Sequence, residues 1–376
     1  MIGSNNYLGL THDPRTQKRA KEAIDKFGTG CTGSRFLNGN TVLHNELEKK
    51  LAAYVGKEEA LVFTTGFLTN LGTIACLVGK DDTILSDSEN HASIIEGCRL
   101  SKANVVRYRH NNMSDLQERL KEVRQESGAF IVTDGVFSMT GDTVNLPELI
   151  AVKKKFPGAR FLLDDAHGLG VLGKKGAGTA SHFGLTNEVD LIMGTFSKSF
   201  ASIGGFLAGP SVAVDYVRHQ ARSFMFSAAM PPAAVATVLA CLDILEQEPG
   251  RIENLKKNIG FMRDGFEKIG VATLPSQTPI ISVFVGEEGR ALKLVVDLFE
   301  HGIFATPVAY PAVPYGQALI RTSYMATHTE RELSQVLDVF SKLAPKYGIL
   351  KNQVEIPTEL THQTKTYNFE AFQGAS

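Results

Sequence analysis

Nothing in this 376-residue chain is in large excess, and what it lacks closes several classes of function. Lysine plus arginine (39) and aspartate plus glutamate (40) nearly cancel, leaving a formal net charge of −1. With no basic block interleaved with aromatics, no nucleic-acid partner is expected. The four cysteines, Cys31, Cys76, Cys98 and Cys241, lie far apart with no C-x-x-C or metal-like spacing. That pattern argues against a disulfide framework or a zinc or other metal site, and it fits a reducing cytoplasm. No charged stretch followed by an apolar run opens the chain, which begins with the turn-like, polar Met1-Ile2-Gly3-Ser4-Asn5-Asn6-Tyr7. The one long apolar tract, 224–245, is broken by Pro231-Pro232 and contains Asp243. About 14 residues after the prolines suit a buried helix, with the prolines initiating it, and fall short of a membrane span. Internal repeats and low-complexity tracts are absent too.

What is present is alternation. Short β-branched runs at 60–63, 83–85, 104–108, 130–133, 160–163 and 189–193 are separated by helical patterns at 67–78, 91–100, 114–126 and 147–155. Alternating β and α units predict a mostly parallel sheet with helices on both faces, and ligands gather at the carboxyl ends of such strands. From about 247 the pattern changes to helices at 252–270, 290–301 and 330–343 around strands at 280–285 and 319–323, a second, smaller α+β domain. The expected division is an N-terminal segment 1–15, a large domain 16–246, a small domain 247–350 and a polar, aperiodic tail 351–376.

The chemistry concentrates at strand ends. Val189 to Met193 runs into Gly194-Thr195-Phe196-Ser197-Lys198, a turn of small residues carrying one lysine. Phe161-Leu162-Leu163 runs into Asp164-Asp165-Ala166-His167. Either motif alone has an ordinary explanation: a lysine between serines is a solvated turn residue, and an aspartate after a strand caps a helix. Together they suggest a Schiff-base lysine and a carboxylate holding a protonated pyridine nitrogen, the pair that lets pyridoxal phosphate (PLP) act as an electron sink. Thr64-Thr65-Gly66-Phe67 follows a strand and opens a helix, so the N–H groups at Gly66 and Phe67 suit an anion such as a phosphate, with the Thr195 hydroxyl as a further donor. His91 follows the next strand and could stack on a flat ring. Arg321, beside a strand, is a candidate carboxylate ligand; a surface salt bridge is its plainer reading. His167-Gly168-Leu169-Gly170-Val171-Leu172-Gly173 contains G-x-G-x-x-G after a strand, the dinucleotide fingerprint. The residues that follow lack a helical period, and two aspartates at the strand end would repel a pyrophosphate, so a nicotinamide enzyme is not expected.

The segments Asn5-Asn6-Tyr7-Leu8-Gly9, Gly28-Thr29-Gly30-Cys31-Thr32-Gly33-Ser34-Arg35, Asp164-Asp165-Ala166-His167-Gly168, Gly194-Thr195-Phe196-Ser197-Lys198 and His328-Thr329, in that order over roughly 4–345, resemble the α-oxoamine synthases, PLP enzymes of fold type I. The resemblance implies a homodimer that condenses an amino acid with an acyl-CoA, releasing CoA and CO2. It implies Lys198 as the lysine that carries PLP, Asp164 as partner of the pyridine nitrogen, His167 near the phenolic oxygen and His91 stacked on the ring. Ser138 would touch the phenolic side, Gly66, Phe67 and Thr195 would hold the phosphate, and Ser227 would reach it from the other subunit. Arg321 would grip the amino-acid carboxylate with Asn5 as helper. Gly33-Ser34-Arg35-Phe36-Leu37-Asn38-Gly39 and Pro311-Ala312-Val313-Pro314 resemble the branch using L-serine and palmitoyl-CoA to make 3-ketodihydrosphingosine, the first step of sphingolipid synthesis, with peripheral membrane contact. Glycine or alanine users of the family, which make aminoketobutyrate or 8-amino-7-oxononanoate, and a silent partner subunit are the alternatives. The presence of Lys198, Asp164 and Arg321 argues against a silent subunit. Such enzymes carry an arm ahead of the Asn-Tyr-Leu-Gly segment; here almost nothing precedes it, so the start is either truncated or armless.

Overall fold

The computed structural model describes residues 1–124 and 126–361. It separates into two compact units, a larger one of Leu10–Val136 and Val144–Glu248 and a smaller one of Met1–Gly9, Phe137–Thr143 and, among the described residues, 249–361. The contact boundary at 248/249 falls two residues past the expected 246/247. Phe137–Thr143, expected within the large domain, groups with the smaller unit because the Ser276 and Thr278 hydroxyls both donate to the Gly141 carbonyl at 2.9 Å.

The larger unit begins with α1 (Pro14–Phe27) and α2 (Val42–Val55). Then β1 (Glu59–Phe63), α3 (Gly66–Leu77), β2 (Thr83–Asp87), α4 (Ala92–Ser101), β3 (Asn104–Tyr108), α5 (Met113–Lys121), β4 (Ala129–Asp134), α6 (Leu146–Lys153) and β5 (Ala159–Asp164) alternate as expected. The helix expected to reach 126 ends at Lys121, where the Glu122 and Val123 N–H groups turn back to the Arg119 and Leu120 carbonyls. After the one-turn α7 (Thr179–His182) come β6 (Leu191–Thr195), β7 (Gly205–Gly209), α8 (Ser211–Gln220), α9 (Arg222–Met225) and α10 (Pro232–Gln247). The seven strands form one sheet in the order β1-β7-β6-β5-β4-β2-β3.

Every strand is parallel to its neighbours except β7, which is antiparallel to both β1 and β6. Since β7 reverses twice, β1 runs with β6, and the carboxyl ends of β1, β2, β4, β5 and β6 share one edge. The five residues each of β2, β6 and β7 are all buried, as a sheet covered on both faces requires. The edge strand β3 carries the exposed Asn104, Val105 and Arg107. Leu61, Phe63, Ile84, Val132, Leu162 and Leu207 from the sheet form the core with Ile74 and Ile94 of the helices.

The smaller unit holds α11 (Gly250–Ile269), β8 (Ile280–Gly286), α12 (Glu288–Glu300), β9 (Thr306–Val308), β10 (Ala318–Ser323), α13 (Glu330–Tyr347) and α14 (Thr358–Thr361). Its antiparallel sheet has the order β8-β10-β9. Of the expected tail, 351–361 carries α14 and 362–376 lies outside the described residues. Among the described residues, no helix is long and apolar enough to cross a membrane.

Candidate active site

The turn after β5 splits its two aspartates. Asp164, buried, accepts at Oδ2 from Asn70 Nδ2 (2.6 Å) and at Oδ1 from the Ala166 N–H (3.0 Å). Both of these donors are neutral. Asp165 is occupied otherwise: Thr179 donates to it twice, from N–H and hydroxyl, each at 2.6 Å. Burial pushes its carboxyl up to about 7, an effect the two Thr179 bonds oppose and the Asp164 charge adds to. A Cβ at Gly168 or Gly178 would come within 2.0 Å of an Asp165 oxygen, and Gly178 also sits at φ +98°. These glycines of the G-x-G-x-x-G stretch and beyond therefore wrap a carboxylate, and the chain continues into turns in place of the helix a dinucleotide would need. His167 is buried in the same turn.

The anion side is built at α3. Thr65 caps the helix, its hydroxyl accepting from the Leu68 N–H at 3.1 Å. The N–H groups of Gly66 and Phe67 make no hydrogen bond among the described residues, leaving two donors at the positive end of a 12-residue helix. Gly66 lies so close to β6 that a Cβ there would sit 2.8 Å from Thr195 Oγ1, which brings that hydroxyl and the helix end together. Lys198 follows in the turn after β6, which the Phe196 N–H to Gly204 carbonyl and Ser202 N–H to Phe196 carbonyl bonds close tightly, with Ala201 at φ +50°. His91 caps α4, and burial holds its imidazole below the usual histidine range; Asp164 pulls it back up and Lys198 pushes it further down. Ser227 is half-buried in the turn after α9.

These residues fit PLP. A buried carboxylate held by neutral donors suits a protonated pyridine nitrogen, and unpaired helix N–H groups beside a threonine hydroxyl suit its phosphate.

In the smaller unit Arg321, on β10, donates from Nε to the Ser138 carbonyl (2.6 Å) and from Nη2 to Asn5 Oδ1 (2.8 Å) and Tyr7 Oη (3.4 Å). Its Nη1 makes no hydrogen bond among the described residues. Asn5 and Ser138 thus hold the guanidinium at two nitrogens; the Ser138 contact is through its backbone. Burial pushes the Tyr7 phenol up to about 12 despite the Arg321 charge beside it.

The chain belongs to the aminotransferase class I and II family, whose model matches residues 2–340. Its seven-stranded sheet is that of the PLP-dependent transferases of fold type I. Among curated proteins it is 56% identical to a serine palmitoyltransferase of Bacteriovorax stolpii, covering 93% of this chain and 83% of that one. It is 43% identical to an 8-amino-7-oxononanoate synthase of Thermoanaerobacter pseudethanolicus, over 93% and 88%. Among solved structures, a serine palmitoyltransferase of S. paucimobilis with a bound PLP–myriocin aldimine superposes with a TM-score of 0.90 at 35% identity, covering 93% of this chain and 88% of that one.

Sequence reading missed Asn70, Ser93, Asp134 and Tyr7. Asn70 stands in the helix expected at 67–78, but nothing in a single sequence says that its amide reaches Asp164, 94 positions away. Asp134 ends β4 and accepts the His91 N–H at 2.9 Å; burial and the Asp164 charge push its carboxyl well up. Its signal was available, since it is one more acid at a strand end.

Arg35, at the end of the glycine-rich 28–35 segment, is the other arginine to weigh beside Arg321. It is buried and committed: Nη2 pairs with Glu48 (2.9 Å), Nη1 donates to the Val62 carbonyl (3.1 Å) and Nε to Asn40 Oδ1 (2.8 Å). Glu48→Ala should strand this cation in the interior and destabilise the protein by about 3–5 kcal/mol. The check is the midpoint of urea unfolding; a shift of less than about 1 kcal/mol would show that the pair is solvated.

Proposed function

We propose that this PLP-dependent acyltransferase condenses L-serine with palmitoyl-CoA, forming 3-ketodihydrosphingosine, CoA and CO2, as a cytoplasmic homodimer. The observation that carries the chemistry is Asp164, a buried carboxylate held by neutral donors at the same sheet edge as the Lys198 turn and the open end of α3. PLP, when bound, withdraws electrons from the substrate α-carbon. Asp164 supplies the fixed negative charge that keeps the pyridine nitrogen protonated. Gly66, Phe67 and the Thr195 hydroxyl hold the phosphate, with Ser227 offered from the second subunit. His91 would cover the ring, and His167 and Ser138 would serve its phenolic side. Lys198 Nζ would take the proton from the substrate α-carbon. Arg321 holds the substrate carboxylate, which decides the α-bond that stands perpendicular to the ring.

The choice of serine rests on the serine palmitoyltransferase relatives, which are more similar to the chain than the 8-amino-7-oxononanoate synthases are. CoA release measured with serine, glycine and alanine against several acyl-CoAs tests it. Turnover should be greatest with serine and a long acyl chain; a preference for alanine with a pimeloyl group would replace this reading by 8-amino-7-oxononanoate synthesis.

Arg321→Lys tests the carboxylate ligand. The ammonium keeps the charge but loses the planar fork and the Nε bond to Ser138, so apparent serine affinity should fall at least about tenfold while the acyl-CoA dependence stays put. An unchanged serine titration would remove Arg321 from this role.

A further inference from the structure

His91 is the N-cap of α4, and its own ring supplies the capping acceptor: the Ser93 N–H donates to Nδ1 at 3.2 Å. A backbone N–H only donates, so Nδ1 holds a lone pair. The Ser93 hydroxyl lies 2.8 Å from the same nitrogen and, facing an acceptor, must donate to it. That hydroxyl oxygen accepts in turn from Asn70 Nδ2 at 2.9 Å, while the second Nδ2 hydrogen goes to Asp164 Oδ2 at 2.6 Å. The amide has only one workable orientation, because turning it over would set Asn70 Oδ1 against a carboxylate oxygen. Asn70 Oδ1 is left buried without a partner, so the amide sits where its two donors are wanted.

We infer that Asp164, Asn70 and Ser93 form a one-directional hydrogen-bond chain that fixes His91 as the neutral tautomer protonated at Nε2, with Asn70 as its positioning residue. Each link has its polarity set by the one before. Protonating Nδ1 would turn two donors, the Ser93 N–H and hydroxyl, against a third. The charged and titratable groups around the ring come from three other elements: Asp164 at the end of β5, Lys198 after β6, and Asp134 at the end of β4, which takes the His91 N–H. Burial adds to the preference for the neutral form. A neutral imidazole suits the proposed place of His91 over a protonated pyridine ring, since an imidazolium there would set two cations face to face; this deepens the PLP reading and rests on it.

Side-chain 15N NMR of the histidines in the PLP-loaded protein tests the chain, with the His91 signals assigned by their loss in His91→Gln. Wild-type His91 should show a bare Nδ1 and a protonated Nε2 between about pH 6 and 8, the range in which an ordinary histidine titrates. Asn70→Ala should raise its titration midpoint by about one pH unit and mix the tautomers. Ser93→Ala removes the hydroxyl link while sparing the Asn70 to Asp164 bond, and should do the same in a protein whose circular dichroism is unchanged. A protonated Nδ1 in the wild type, or an unaltered His91 titration in folded Ser93→Ala, would overturn the inference. Because the readout is a tautomer and not turnover, it is decided separately from the choice of amino acid and acyl-CoA.

Discussion

Lys198→Ala should abolish the lysine-dependent visible absorbance of protein reconstituted with PLP and lower condensation by about 10²–10⁴-fold, the range lost with a positioned general base. Two different roles end with one side chain: covalent attachment of the cofactor, and removal of the proton from the substrate α-carbon. The fold should survive, because the turn is closed by backbone bonds of Phe196, Ser202 and Gly204 that the side chain does not make. PLP should still bind, more weakly, through the donors at the start of α3 and through Asp164. Spectra of the wild-type and variant proteins after reconstitution, with circular dichroism as the control, decide the matter. An unchanged visible band in the variant would put the attachment elsewhere and end the present reading of the site.

The sheet was largely legible because its strands are buried on both faces and so appear as unbroken apolar runs between helices. The strand that escaped notice is β7. Gly205-Phe206-Leu207-Ala208-Gly209 has a glycine at each end, and glycine is poor in strands; here it is required, since a Cβ at Gly205 would lie 2.7 Å from Gly66 Cα. The helices α1 and α2 were passed over as well. Half of the first is charged and it buries only Thr16 and Ala23, too little for an apolar stripe to stand out.

Strand-end chemistry was legible for a different reason: acids, a histidine and a lysine after apolar runs have few structural uses. Strand pattern and residue type alone leave open which of two adjacent aspartates would serve the cofactor; only the family resemblance singled out Asp164. By pattern Asp164 and Asp165 look equivalent, and the positions of Asn70 and Thr179 in space tell them apart. Arg35 and Arg321 pose the same problem. Both are buried arginines with several partners, yet the first is neutralised by Glu48, whereas the second is held by a carbonyl, an amide and a phenol, none of which cancels its charge.

That separation of the aspartates makes the second large effect specific. Asp164→Asn should keep PLP bound and the fold intact, with the asparagine oxygen still accepting from Asn70 Nδ2 and the single Ala166 N–H bond given up, yet it removes the negative charge proposed to face the pyridine nitrogen. A hydrogen bond to a charged group contributes about 1.5–3 kcal/mol, so the chemical step should slow by roughly 10- to 100-fold or more, with the loss in kcat and little change in the concentration of serine needed. Asp165→Asn should behave in the opposite way. One of the two Thr179 donors would face an amide NH2, the glycine-wrapped turn would loosen, and thermal stability should fall more than turnover does. Steady-state kinetics and melting curves of the two variants, measured side by side, separate the roles. If Asp164→Asn turns over at the wild-type rate while Asp165→Asn does not, the carboxylate that serves the cofactor is Asp165, and the assignment made here for the pair is reversed.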